Sequence, residues 1–91
     1  MTIGRAARRE ERRPRVTAAL GAHAAEAALD ILELTELAWH DCYGEVTPPE
    51  DVVDDIVVCS RGELPGFARA ARLAVTDRRD LRLAADAIRR E

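Results

Sequence analysis

The sequence of 91 residues contains no lysine, asparagine or glutamine, and it has one tryptophan, one tyrosine and one phenylalanine. Without lysine it cannot form the phosphate-binding G-x-x-x-x-G-K loop, and it has no G-x-G-x-x-G motif. No apolar run approaches the roughly 18 residues that cross a bilayer. A secretory signal requires an apolar region after its basic start, and no such region follows the N-terminal arginines. We therefore expect a cytoplasmic protein with no membrane association.

Cysteine and histidine are also scarce, with two of each. Cys42 and Cys59 are 17 residues apart, as are His23 and His40, whereas structural zinc sites present close pairs such as C-x2-C. Successive helical residues point about 100° apart, so His40 and Cys42 diverge and cannot act on one atom. The sequence predicts a non-enzymatic protein without metal or cofactor. The alternative is a metal- or thiol-dependent enzyme centred on His40 and Cys42.

All 14 basic residues are arginines, and charge is segregated along the chain. Residues 1–15 carry six arginines and two glutamates, residues 16–60 carry ten acids and no base, and residues 61–91 carry eight arginines and five acids. The net charge of −3 therefore conceals local charges of +4, −10 and +3. Residues 1–14 lack an apolar face, which predicts a basic, mobile N-terminal arm. A single helical domain is expected over residues 15–91.

A long first helix is predicted over residues 15–43, where small and apolar residues recur at spacings of three and four. One row forms a seam, namely Leu20, Ala24, Ala27, Ile31, Leu34, Ala38 and Cys42. A second row lies beside it, namely Ala28, Leu32, Thr35 and Trp39. Such a helix is about 40 Å long and has more apolar face than the remaining residues readily cover. This excess predicts a homodimer through the first helix.

Shorter helices are predicted after Gly44. The string Thr47-Pro48-Pro49-Glu50 is typical of a helix start, with Thr47 as the cap and Glu50 completing a capping box. Leu64-Pro65 begins a further helix, and Thr76-Asp77 marks a cap before the last amphipathic segment. The fold predicted from the sequence is an all-α bundle of three to four helices.

An acidic face on the first helix is the best candidate for contact with another molecule. It comprises four carboxylates and two enclosed leucines, namely Glu26, Asp30, Glu33, Glu36, Leu29 and Leu37. Either later helices cover the leucines, or the leucines are the docking point for a protein partner. His40 lies one turn after Glu36 and forms either an exposed ion pair with it or a pH-sensitive contact with a partner.

The N-terminal arginines are the alternative candidate, as contacts to nucleic acid. The set is Arg5, Arg8, Arg9, Arg12, Arg13 and Arg15. They can neutralise phosphates in a salt-dependent manner, although no aromatic stacking platform or basic recognition helix accompanies them. The interpretation favoured by the sequence is a small, self-associating protein-interaction or regulatory module. The alternative is a regulator that associates with nucleic acid through the arginines.

Overall fold

The computed structural model describes residues 4–91, which form five α-helices. The helices are α1 (Arg5–Leu20), α2 (Ala22–Tyr43), α3 (Glu50–Ser60), α4 (Leu64–Thr76) and α5 (Arg78–Arg89). The predicted all-α class is confirmed, whereas the predicted number of three to four helices is too low. Within residues 4–91, no helix combines the length and the apolar character needed to cross a membrane.

Gly21 divides the helix that the sequence predicts over residues 15–43. Its φ of 89° and ψ of 157° lie in a region that is essentially restricted to glycine. The chain reverses there, and the pairs Arg5–Glu36 and Arg13–Glu26 show that α1 and α2 lie antiparallel. The predicted long first helix is therefore wrong at its N-terminal end, because periodicity alone does not show whether a glycine continues a helix or turns the chain.

The basic arm predicted for residues 1–14 is wrong from residue 5 onward. Residues 5–14 form the first ten residues of α1, which contains Pro14, and Arg8 and Arg12 in this stretch are buried. The first three residues of the predicted arm lie outside the described residues. The prediction required an apolar face for docking, whereas this part of α1 docks through its guanidinium groups.

The core lies where α2 packs on α4 and where α3 packs on α4 and α5. Its largest buried apolar side chains are Trp39, Phe67, Leu29, Leu32, Ile56 and Leu81. On α2 the buried row is the second of the two predicted, namely Ala28, Leu32, Thr35 and Trp39. The predicted seam is only partly inside, because Leu34 and Cys42 are exposed.

The capping box predicted at the start of α3 is wrong. Pro49 occupies the N-cap position, and no side chain caps the helix. Thr47 Oγ1 instead donates to Glu36 Oε2 at 2.9 Å. The Thr47 hydroxyl therefore binds a carboxylate of α2 instead of capping α3 as the local pattern predicts.

The predicted starts of the last two helices are confirmed. α4 begins at Leu64, with Pro65 in its first turn, where the absent amide proton costs no helical hydrogen bond. Asp77 caps α5, because its Oδ1 accepts from the amide of Asp80 at 3.1 Å. Pro65 and Asp77 each act on the backbone of the helix that they begin, within a few residues along the chain.

Candidate interaction surface

The acidic face of α2 is partly covered by α1. Its innermost carboxylate, Glu36, is 2% exposed. Arg8 donates to it twice, from Nε to Oε2 at 2.6 Å and from Nη2 to Oε1 at 3.1 Å. Arg12 donates through Nη1 to the same Oε2 at 3.0 Å. One carboxylate therefore binds two buried guanidinium groups, in part with the bidentate geometry that arginine favours.

Arg12 extends this cluster to α3 and to the segment before it. Its Nη2 donates to Thr47 Oγ1 at 3.0 Å and to Glu50 Oε2 at 2.8 Å. Burial raises the pKa of Glu36, but hydrogen bonds from Arg8 and Thr47 lower it further, so that this pKa lies below its ordinary value. Glu36 is therefore ionised at neutral pH, and the cluster joins three helices through hydrogen-bonded charges.

The other acids of this face pair with arginines nearer the solvent. Arg9 contacts Glu26 at 2.7 Å, Asp30 at 2.9 Å and Glu33 at 3.3 Å. Arg13 also binds Glu26. Exposed ion pairs add little to stability. These contacts therefore define the register of α1 on α2 and contribute little to the free energy of unfolding.

Each arginine that the sequence offers as a nucleic-acid contact forms an ion pair with an acid of this chain. The six are Arg5, Arg8, Arg9, Arg12, Arg13 and Arg15. Arg5 reaches Glu36 at 3.4 Å, and Arg15 binds Glu50 at 2.5 Å. Burial also shields Arg8 and Arg12 from a phosphate backbone. Contact with nucleic acid through this segment would first require breaking ion pairs within the chain.

The two leucines enclosed by the acidic face have opposite environments. Leu29 is 1% exposed and belongs to the core, whereas Leu37 is 50% exposed. The first alternative drawn from the sequence, burial by the rest of the fold, therefore holds for Leu29 and not for Leu37. His40 is exposed near Leu37, and Glu36 turns inward to the arginines of α1 instead of towards His40.

Leu37 belongs to an apolar surface that continues from α2 into the following segment. We call it the open surface, and it comprises Leu34, Leu37 and Val46, which are 66%, 50% and 58% exposed. Two grooves of about 300 and 340 Å³ share Arg5 and Leu37 in their walls. Polar side chains complete the walls, namely Asp30, Glu33, Glu36, His40 and Asp41.

Sequence reasoning missed two members of the open surface. Leu34 belongs to the predicted seam of the first helix, but periodicity defines an apolar arc without showing which part of it faces the core. Val46 lies outside the periodic segment, between Gly44 and the prolines. A large apolar residue in such a non-helical segment is the one sequence signal that could have indicated an exposed apolar position.

A larger cleft of about 690 Å³ lies beside α3 and the start of α5. Its most buried charged group, Asp55, binds Arg82 and Arg89, each at 2.9 Å. Arg82 also binds Asp51 at 2.8 Å. These ion pairs join α3 to α5, so the charges at this cleft act mainly within the fold.

The two cysteines lie in different environments, with Cys42 exposed and Cys59 half-buried. Burial, together with the neighbouring Asp55, raises the pKa of Cys59, so that its thiol is protonated at neutral pH. Across residues 4–91, no three histidine, cysteine, aspartate or glutamate side chains converge as a metal site requires.

No protein-family model matches this sequence, and comparison with curated proteins and with solved structures yields no significant match.

Proposed function

We propose that this chain is a non-enzymatic protein-interaction module that binds a helix of a partner protein on the open surface. The observation that carries the proposal is the exposure of Leu34, Leu37 and Val46 along two adjoining grooves. Apolar groups within a polar rim are typical of protein docking sites. Neighbouring shallow grooves also suit the side chains that one face of a helix presents at spacings of three and four.

Charge favours a basic partner helix. Residues 4–60, which carry the open surface, contain six arginines and twelve acids. This region therefore keeps a net charge of −6 even though every arginine in it is paired. Asp30 and Asp41 place part of that charge at the groove walls. We infer a partner helix with large apolar residues three or four positions apart, flanked by arginine or lysine.

Photo-crosslinking in the native cell tests what covers the open surface. A photoreactive amino acid replaces Leu34 in one variant and Leu83 in the control, because these leucines are 66% and 61% exposed. We expect an adduct with one protein from position 34 only, and we expect the linked peptide to have a basic amphipathic pattern. Equal labelling from both positions, or links to acidic segments, would contradict the proposal.

Substitutions that introduce charge on the open surface test whether the partner protein identified by crosslinking binds there. The double variant Leu34→Asp/Leu37→Asp is expected to weaken binding by at least about tenfold in calorimetry, because each aspartate would be buried against the partner. The matched control is Leu83→Asp, which should bind like the wild type. Unchanged binding by the double variant would show that the partner contacts another surface.

A further inference from the structure

A single residue, Gly21, connects α1 to α2. Its amide donates to the Thr17 carbonyl at 2.8 Å, and its own carbonyl accepts from the Ala24 amide at 3.2 Å. Its φ and ψ are 89° and 157°, and they are not helical. If this one residue adopted helical φ and ψ, α1 and α2 would become a single helix running from Arg5 to Tyr43. That helix of 39 residues would be about 58 Å long, at about 1.5 Å per residue. The folded chain extends only 37 Å along its longest axis, so a straightened α1 would project beyond its own domain.

The residues on both sides of Gly21 favour the continuous helix. They read Ala18-Ala19-Leu20 before it and Ala22-His23-Ala24-Ala25 after it, and alanine and leucine are strong helix formers. No side chain caps α2, its first turn has no acidic residue, and the last turn of α1 has no basic residue. The free amides and carbonyls of these two ends would pair with each other in a continuous helix. The packing of α1 on α2 therefore maintains the bend, against the local preference.

The contacts that hold α1 on α2 can be made equally well by a second copy of the chain. Residues 1–15 carry six arginines, and the face of α2 that receives them is acidic. The buried members, Arg8 and Arg12, meet Glu36. None of these ion pairs requires its two members to belong to one chain. In a symmetric pair of chains, each α1 can therefore place the same arginines on the Glu36 of the other copy.

We propose that two copies of this chain exchange α1. In the exchanged dimer Gly21 adopts helical φ and ψ, α1 and α2 form one helix, and each α1 occupies the acidic face of the other copy. The exchange retains the α1–α2 contacts and removes two poorly capped helix ends, and short hinges are known to favour such swaps. It does not depend on partner binding at the open surface, although Arg5 in the groove walls would then come from the second copy.

The substitution Gly21→Ala tests the hinge. A Cβ at position 21 would lie 3.1 Å from the His23 ring, and its positive φ is strained for alanine, whereas alanine is ideal in a continuous helix. We expect analytical ultracentrifugation to show a dimer dissociation constant lower by at least about tenfold, because the change acts at two hinges. A folded variant that is as monomeric as the wild type would overturn the exchange.

Gly44→Ala is the matched control for the hinge variant. Gly44 also has a positive φ, of 73°, at an end of α2, and a Cβ there would meet nothing within 4 Å. It does not join two helices packed on each other. Alanine at position 44 would also strain the backbone, although less than at position 21, because Gly44 lies in the left-handed helical region that other residues can adopt. We expect the dissociation constant to stay at the wild-type value.

Charge reversal decides the proposal even if Gly21→Ala fails to fold. One chain carries Arg8→Glu/Arg12→Glu, and the other carries Glu36→Arg/Glu50→Arg, because Arg12 binds both carboxylates. Each alone places like charges across the α1–α2 contact, whereas an exchanged heterodimer of the two restores opposite charges at both contacts. We expect a 1:1 mixture to form a heterodimer in native mass spectrometry and to gain helicity. A mixture that behaves as the sum of its components would overturn the exchange.

The Leu34→Asp/Leu37→Asp variant separates exchange from dimerisation through the open surface. An exchanged dimer should persist in this variant, because neither leucine takes part in the ion pairs between α1 and α2. Loss of the dimer would assign self-association to the open surface and overturn the exchange. Persistence of the dimer together with failed partner binding would support both proposals separately.

Discussion

Arg12 and Glu36 form a buried ion pair between α1 and α2, with 3.0 Å between Nη1 and Oε2 and side-chain exposures of 3% and 2%. Removing both charges from water is unfavourable, and hydrogen bonds from Arg8 and Thr47 to the same carboxylate help to offset this. An intact pair of this kind adds little net stability, but losing one member leaves the other buried without its counter-ion. The pair therefore specifies where α1 docks.

Glu36→Gln is expected to destabilise the fold by about 3 kcal/mol or more, because it leaves Arg8 and Arg12 buried without their shared anion. Urea unfolding followed by circular dichroism measures this change. The control is Glu33→Gln, at a half-buried carboxylate that contacts Arg9 at 3.3 Å, for which we expect less than about 1 kcal/mol. Equal effects of the two substitutions would show that the buried cluster has no special role.

Stability is expected to fall in acid. Burial raises the pKa of both Glu36 and Glu50, but hydrogen bonds from arginines lower each further, so that both lie below their ordinary value of 4.5. A carboxylate whose pKa is lowered in the folded state contributes its full stabilisation when the pH is above its ordinary pKa of 4.5. That contribution is lost as the pH falls through the pKa of the folded state. The urea midpoint should therefore be steady from about pH 7 to 5 and then decline.

The variant Glu50→Gln assigns part of this acid response. Glu50 accepts from Arg12 at 2.8 Å and Arg15 at 2.5 Å, and its amide replacement cannot titrate. We expect the difference between the urea midpoints at about pH 6 and pH 3 to be smaller than in the wild type. A decline of unchanged size would place the acid sensitivity at other carboxylates.

Leu29→Ala and Leu37→Ala are expected to have very different effects although both leucines lie within the acidic face. Leu29 is 1% exposed, and truncation in the core costs about 2–5 kcal/mol. Leu37 is 50% exposed, and we expect a change within about 1 kcal/mol. Thermal or urea unfolding measures both. Similar losses would mean that the open surface is covered within the monomer.

Gly66→Ala is expected to destabilise the chain by about 1–3 kcal/mol through overpacking. A Cβ at Gly66 would lie 2.5 Å from the carbonyl oxygen of Ser60, where the start of α4 meets the end of α3. The backbone at Ser60 would have to move, because no flexible side chain can give way. Gly4→Ala, with nothing within 4 Å of the added Cβ, is the control, and we expect a smaller loss of at most about 1 kcal/mol, because glycine is preferred to alanine at the N-cap of α1.

Local chemistry was sufficient to predict some features and insufficient for others. Leu64-Pro65 and Asp77 act on their own backbone neighbours, so the starts of α4 and α5 could be placed from the sequence. Thr47 shows the limit. The local pattern predicts that its hydroxyl caps a helix, but in the folded chain the hydroxyl binds Glu36 on α2 and Arg12 on α1 instead.

The candidate site was predicted in part. The acidic face that the sequence predicts lies on α2, but periodicity could not show that α1 covers part of it or that Glu36 and Leu29 are buried. Leu34 and Val46 were missed, since their exposure depends on where the neighbouring helices stop. The sequence offers the same two alternatives for Leu29 and Leu37 and does not distinguish them, whereas packing buries Leu29 and leaves Leu37 exposed.

The sequence by itself determined the helical class and the segregation of charge, because periodicity and composition are properties of neighbouring residues. It also placed a mobile basic arm where the structure has a docked helix. Only the tertiary structure decided that the arginines of the basic segment would form ion pairs with the acidic one. The physical reason is that Gly21 turns the chain and brings Arg8 and Arg12 against Glu36, residues more than twenty positions apart, and no local pattern reports that meeting.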